Sequence, residues 1–548
     1  MGGASVGREE RAGGRGGLLA RARTVAAPGY NRWLLPPCAL AIHLCIGMAY
    51  GFSVFWLPLS RAIGIKDPVV CKTMTLVEAL TTTTCDWRVS DLTWIYSLFF
   101  VVLGASAAIW GGWLERVGPR RAGVVAACCW AGGIAIGAIG VSLHQLWLIW
   151  AGTGVIGGIG LGLGYISPVS TLIKWFPDRR GMATGMAIMG FGGGALIGSP
   201  LADRLMKHFA SADGVGVWQT FLVLAAVYLV FMLGGAFGYR VPPADWQPAG
   251  WTPPATAASA TTAVHLANAH RTPQFWLIWL VLLLNVSASI GIIGIASPMI
   301  QEIFAGRLFN RPDVAFTGFD AAQKIAAAAA GAGFVGFISL FNIGGRFFWA
   351  SISDRLGRKP TYAVMLATGA LLYAVIAPWS ASAAALTVFA LAFAVIVSMY
   401  GGGFATVPAY LADVFGTQFV GAIHGRLLTA WSTAGILGPL IVTRMRDAAI
   451  AAGTPRAEIY PPIFWTLAGL LVAGFVANLF IRPVGDRFRM TAAEVAALRG
   501  PEATVGGDGA IGLGRFDVAV ALAWLPVALP LAWGLSVTVT KALALFTH

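Results

Sequence analysis

The chain has 548 residues, of which 57% are hydrophobic and only 11% charged, and its net charge is +14. Soluble domains carry roughly 25% charged residues, which excludes a string of soluble domains. The basic residues fall between apolar runs and form no basic-aromatic patch, so the charge reads as orienting a membrane protein and excludes nucleic acid as a partner.

Residues 1–30 are rich in Gly, Arg and Ala. They lack an apolar core followed by a small-residue cleavage site and read as a disordered, basic, cytoplasmic tail. Apolar runs of about 20 residues, enough to cross a ~30 Å hydrocarbon layer, are expected to form helices at 34–60, 92–114, 122–142, 145–172, 182–204 and 218–239. Together they make a first six-helix bundle, 31–240. The stretch 241–272 contains Pro242, Pro243, Pro253 and Pro254, lacks amphipathic period, and reads as a cytoplasmic linker. A second six-helix bundle, 273–483, follows with helices expected at 274–298, 328–352, 361–379, 383–411, 420–443 and 462–482. A polar loop, 484–515, carries Arg487, Arg489 and Arg499, and leads to a thirteenth apolar helix at 516–540 within a C-terminal segment 516–548. The fold class is therefore an all-α membrane protein. Its 70 glycines fit helices that pack closely in lipid.

Arg116, Arg120, Arg121, Lys174, Arg179, Arg180, Arg355, Arg358 and Lys359 all fall on the side of the N-terminus. Positive residues favour the cytoplasmic side, so a cytoplasmic N-terminus is expected in a cell inner membrane. Cys38, Cys45, Cys128 and Cys129 lie in apolar runs and read as small core residues. Cys71 and Cys85 flank a short polar segment. They read either as a disulfide, if that loop is extracytoplasmic, or as two free thiols.

The halves look like repeats. Glu115-Arg116-Val117-Gly118-Pro119-Arg120-Arg121 follows the second helix, and Asp354-Arg355-Leu356-Gly357-Arg358-Lys359 follows the eighth, 239 positions on. Pro200 and Pro439 are separated by the same 239, and Pro168 and Pro408 by 240. Parallel repeats about an axis normal to the membrane place a substrate site near midplane between the halves.

The acidic-Arg-x-Gly-x-Arg/Lys loops resemble the signature of the major facilitator superfamily. Gly111 precedes Glu115 by four residues, and Ala350 takes that place in the second copy. The resemblance implies that Gly111, Glu115, Arg116, Gly118, Arg120, Asp354, Arg355, Gly357 and Arg358 steady one conformation at the cytoplasmic face. Further segments resemble the oxalate/formate antiporter family and the related monocarboxylate transporters. These are Tyr50-Gly51-Phe52-Ser53-Val54-Phe55, Trp175-Phe176-Pro177-Asp178-Arg179-Arg180-Gly181, Arg271-Thr272-Pro273-Gln274-Phe275-Trp276, Tyr400-Gly401-Gly402 and His424-Gly425-Arg426. The resemblance implies a secondary carrier of a small organic carboxylate, working by alternating access.

Arg346 is the most informative residue. It lies eight positions, about 12 Å of helix, from Asp354, which puts a charge near the middle of the bilayer. Such charges face a cavity or a partner. Few acidic residues lie in the other expected helices, so a substrate carboxylate is the expected counter-charge, gripped by the planar guanidinium. A contact to the protein's own carbonyls or acids is the plainer role. Asn342 shares a helix face with Arg346, and the pair resembles the anion-binding pair of monocarboxylate transporters. Tyr50, Tyr165 and Tyr400 match family positions lining the cavity; packing is their alternative role.

The dicarboxylate exchangers of the family carry a second cation in the eleventh helix, where this chain has Trp431. One Arg suits a monocarboxylate better than oxalate, with Arg426 as the substitute cation should a second be needed. His43 and His424 are the groups able to carry a coupled proton, or else they hydrogen-bond their neighbours. Gly158-Ile159-Gly160-Leu161-Gly162-Leu163-Gly164 lacks the strand and acidic partner of a dinucleotide loop and reads as helix packing. Neither a cofactor, a metal nor an enzymatic activity is expected. An oxalate/formate-type exchanger and a membrane sensor that binds the anion without moving it are the alternative functions.

Overall fold

The computed structural model describes residues 17–243, 246–252, 263–309, 311, 318–382, 386–455, 458–491, 493–494 and 517–543. The expected tail up to residue 16, linker residues 253–262 and polar-loop residues 495–516 lie outside them. Among the described residues, thirteen helices are long and apolar enough to cross a membrane. They are α1 (Arg32–Leu59), α2 (Val89–Val117), α3 (Pro119–Ser142), α4 (Leu146–Trp175), α5 (Arg180–Phe209), α6 (Val217–Gly238), α7 (Pro273–Phe304), α8 (Ala330–Leu356), α9 (Arg358–Pro378), α10 (Leu386–Phe415), α11 (Val420–Ala451), α12 (Tyr460–Leu479) and α13 (Val518–Thr540).

Local chemistry sets their starts. Proline stands in the first turn of the α-helical part of α1, of α3 and of α12, where its missing N–H leaves no hydrogen bond unmade. α7 continues past the expected end at 298, through Glu302. The sequence pattern stops at that charge, but Arg446 on α11 and Tyr460 on α12 both bond its carboxylate inside the bundle, so the helix can keep it. The helix that contains α8 likewise begins at Ala321, ahead of the expected 328, because its alanine-rich first part is a strong helix former.

α1 is not uniform. Gly47–Phe55 is a 3-10 stretch, of a kind that marks strain or a hinge in mid-helix. There the backbone of α1 meets that of α5: a Cβ on Gly194 would lie 2.5 Å from the Gly47 carbonyl carbon. Pro168 in α4 and Pro408 in α10 sit inside their helices.

The repeat is visible in backbone geometry. Gly118 ends α2 at φ +86° and Gly357 ends α8 at φ +86°, a region that L-residues with a Cβ rarely adopt. The basic residue two positions on performs one task in both copies. Arg120 donates to the Tyr239 carbonyl just beyond α6, and Lys359 donates to the Leu479 and Ile481 carbonyls at the end of α12, where a helix presents unpaired acceptors.

We call the membrane face with these turns and the described ends of the 241–272 segment the linker face. The opposite face carries the loop after α1. There Cys71 and Cys85 are joined, and Asp86 accepts hydrogen bonds from the backbone of Ile63, Gly64 and Val69. His144 stacks on Trp87 at 3.8 Å and bonds the Cys85 carbonyl. Burial of this ring lowers its pKa.

Two seams join the first six helices to the next six. α2 meets α11 where a Cβ on Gly111 would lie 2.8 Å from Ala422 Cα. α5 meets α8 where a Cβ on Gly185 would lie 2.8 Å from the Arg346 carbonyl oxygen and 2.9 Å from Ala350 Cβ. α13 packs beside the second seam, with Val527 against Leu40 and Ala41 of α1, Gly534 against Leu196 of α5, and Thr538 beside Gly336 of α8.

Candidate functional site

Arg346 is 1% exposed and none of the ion pairs among the described residues includes it. Its Nε donates to Asn342 Oδ1 at 3.2 Å, and its Nη1 donates across the seam to the Ile188 carbonyl of α5 at 3.2 Å. Nη2 has no hydrogen-bond partner among the described residues. Of five guanidinium N–H groups, two are occupied. The three left are one on Nη1 and both on Nη2, enough to grip a carboxylate through two hydrogen bonds.

Glycines make the slot for this side chain. A Cβ on Gly192 of α5 would stand 2.9 Å from Arg346 Nε, and one on Gly401 of α10 would stand 3.0 Å from Arg346 Cγ. The guanidinium carbon lies 6.0 Å from the Tyr50 ring centre and 5.8 Å from that of Phe404, each within cation–π reach. The Tyr50 hydroxyl is 3.4 Å from that of Tyr400, joining α1 to α10 at the same depth. The 3-10 stretch of α1 carries Tyr50 to this position.

Trp431 is the hub of a second group of rings. Its ring centre lies 4.7 Å from Phe404, 5.1 Å from Phe100, 5.5 Å from both Tyr165 and Phe191, and 6.2 Å from Tyr50. Tyr165 is fully buried and neighbours His43 and His424. Trp431 Nε1 and the Tyr165 hydroxyl, like Arg346 Nη2, have no partner among the described residues. The sequence-expected residues thus fall into two touching clusters. Arg346, Asn342, Tyr50 and Tyr400 form one, Tyr165 belongs to the other, and Trp431 and Phe191 bridge them. Arg426 stands apart, donating to the Leu266 carbonyl and His270 Nδ1, so it supplies no second cation to the centre.

Sequence reasoning misses several participants. The Ile188 carbonyl leaves no signal in a one-dimensional pattern. Phe100, Phe191 and Phe404 read there as ordinary apolar positions. Asp413, at the linker end of α10, is an acid whose role only the fold reveals. It accepts from Arg180 of α5 and from Arg358 of α9, both at 3.2 Å.

Between the two six-helix bundles, the hydrogen bonds among the described residues lie at midplane or toward the linker face. At midplane are Arg346 to Ile188, Tyr50 to Tyr400 and Ser432 to the Phe100 carbonyl. Nearer the linker face, Thr184 donates to the Ala405 carbonyl, and Asp354 accepts from the backbone N–H groups of Gly181 and Met182 at 2.8 Å each. Arg358 holds Asp354 at 2.7 Å. The remaining motif residues Arg116 and Arg355 are exposed.

Two bundles related by a repeat, closed at one face around a buried polar centre, define a membrane carrier. The family model of the Major Facilitator Superfamily matches residues 39–439, and the chain belongs to that superfamily. It is 25% identical over 450 residues to "Apicoplast pyruvate carrier 1" of Toxoplasma gondii, covering 70% of this chain and 78% of that one. It is also 25% identical over 411 residues to the "Oxalate:formate antiporter" of Oxalobacter formigenes, covering 74% and 83%. Among solved structures, the transporter FucP in the outward conformation superposes with a TM-score of 0.54 at 16% identity, covering 83% of this chain and 100% of that one.

Proposed function

We propose that this chain carries a small monocarboxylate across the cell inner membrane by alternating access, with Arg346 as the anion's counter-charge. One observation carries the reading: a buried guanidinium with N–H groups that no described residue accepts from, beside an indole N–H and a tyrosine hydroxyl that are also unpartnered among the described residues. Arg346 Nη2, Trp431 Nε1 and the Tyr165 hydroxyl share what they lack, which is an acceptor. A carboxylate supplies acceptors and neutralises a charge that is costly at midplane. The curated relatives named for pyruvate and for oxalate and formate support the same substrate class. With Trp431 where the dicarboxylate exchangers carry a cation, a single-headed anion is favoured over oxalate.

In this reading the linker face is cytoplasmic, and the bonds between α5 and α8 close that side. Asn342, Tyr50 and Tyr400 hold the guanidinium and the wall around the anion, and the motif turns steady the closed face.

The test is uptake of labelled formate, lactate, pyruvate and oxalate into proteoliposomes. We expect monocarboxylate uptake that falls about tenfold or more in Arg346→Lys, because a point-charge ammonium lacks the planar fork. Unimpaired uptake by that variant removes Arg346 from the site, and binding without uptake ends the carrier reading.

A further inference from the structure

We propose that His43 is the proton-binding residue of the carrier, so that one proton enters with each carboxylate and the transported pair is electroneutral. The inference rests on the anion reading above. His43 of α1 is fully buried and both its ring nitrogens face carbonyl oxygens. Nδ1 lies 2.5 Å from the Ala187 carbonyl of α5, and Nε2 lies 3.1 Å from the Tyr165 carbonyl of α4. A neutral imidazole has one N–H. In that state one nitrogen lone pair faces a carbonyl lone pair. Only the imidazolium donates to both oxygens, and these two bonds offset part of the cost of charging a buried ring.

The site is wired to the anion through consecutive peptide units. Ala187 receives His43 and the next residue, Ile188, receives Arg346. Phe191, one turn further along α5, touches the rings of both His43 and Tyr50. The titratable groups around His43 are Tyr165 from α4, Arg346 from α8, and His424 of α11 beyond Tyr165. None of the hydrogen bonds to its ring among the described residues comes from a carboxylate. A proton arriving on His43 therefore adds a positive charge near a guanidinium that has no acid of its own, and both cations favour an entering anion. Conversely, a bound carboxylate at Arg346 favours the protonated ring. The affinities of proton and anion rise together, as reciprocal linkage requires.

The charges balance. His43 takes its proton from the outer solution, the carboxylate stays ionised against Arg346, and both leave on the other side with the ring restored to neutral. His424 is the competing candidate, since it is fully buried with neither nitrogen partnered. Among the described residues no oxygen accepts from either ring nitrogen, so its surroundings do not hold an imidazolium as those of His43 do.

The experiment compares pH-gradient-driven accumulation of labelled lactate or pyruvate with gradient-free counterflow in the same proteoliposomes, using the full chain. In His43→Gln we expect gradient-driven accumulation to fall about tenfold, with a flattened pH profile. Counterflow should stay within about threefold, and His424→Gln should keep the gradient response. A His43→Gln protein that accumulates normally overturns the proposal, as does loss of the gradient response in His424→Gln alone. Should His43→Gln fail to fold, proton uptake upon pyruvate binding by the wild-type chain, read with a pH dye in weak buffer, decides the matter. Uptake of a proton per anion that survives in His424→Gln supports His43, and no uptake overturns it. Counterflow by the wild-type chain without any gradient response sinks this inference alone; absence of both sinks the carboxylate reading beneath it.

Discussion

The two copies of the turn motif share a backbone and differ in what their acids hold. After α2, Glu115 pairs with Lys174 and Ser170 in the last turns of α4, within its own bundle. After α8, Asp354 reaches across the seam to two backbone N–H groups at the start of α5. The charges beside them explain the division. The last turn of α4 offers a lysine, which neutralises Glu115 directly. The last turn of α10 offers Asp413, a second acid, so Arg358 stands between Asp354 and Asp413 and bonds both. Pro119 occupies the corresponding position in the first copy and offers no charge. Repetition thus conserves the turn, while single substitutions decide which copy acts as the latch between bundles.

The sharpest way to break this comparison is Asp354→Asn. Losing a charged acceptor that serves the first turn of α5 should cost the closed linker face about 2–3 kcal/mol, more than tenfold in population. Hydrogen exchange of the Gly181 and Met182 amides should speed up accordingly. Unchanged protection there would mean that Asp354 is no latch.

Gly118→Ala and Gly357→Ala come next. At φ +86° in both turns, a Cβ should cost about 1–3 kcal/mol in each, read as similar losses in thermal unfolding temperature. Unequal losses would show that the turns are not equivalent. Glu115→Gln should cost about 1 kcal/mol within the first bundle and leave Gly181 and Met182 protection as it was. Faster exchange at those amides would make Glu115 a second latch. Asp413→Asn should be smallest, about 0.5 kcal/mol, because Asp413 is 42% exposed and Arg358 keeps its bonds to Ser353 and Asp354. A loss as large as that of Asp354→Asn would move the centre of the latch to α10.

Much of this architecture is legible in one dimension. Apolar length marks the helices, and an offset of 239 marks the repeat. The depth of Arg346 follows from counting back from Asp354. What Arg346 touches does not follow, because Ile188 contributes only a carbonyl, and every residue has one. The 3-10 stretch that presents Tyr50 is equally silent, since Gly47–Phe55 has the composition of any lipid-packed helix. The continuation of α7 through Glu302 needs knowledge of Arg446 and Tyr460, 144 and 158 positions away. Hydropathy registers a charge but not its neutraliser.

The position of α13 sets a mechanical condition on any rocking of the bundles. Against α5 its backbone is wedged: a Cβ on Gly534 would stand 2.7 Å from the Leu196 carbonyl oxygen, and Arg204 stacks over Trp533 at 4.9 Å. The helix packs against α8 as well, where a Cβ on Gly336 would stand 3.4 Å from a Thr538 methyl. The extra helix thus straddles both bundles, and any rocking of one against the other must slide it over α5 or over α8.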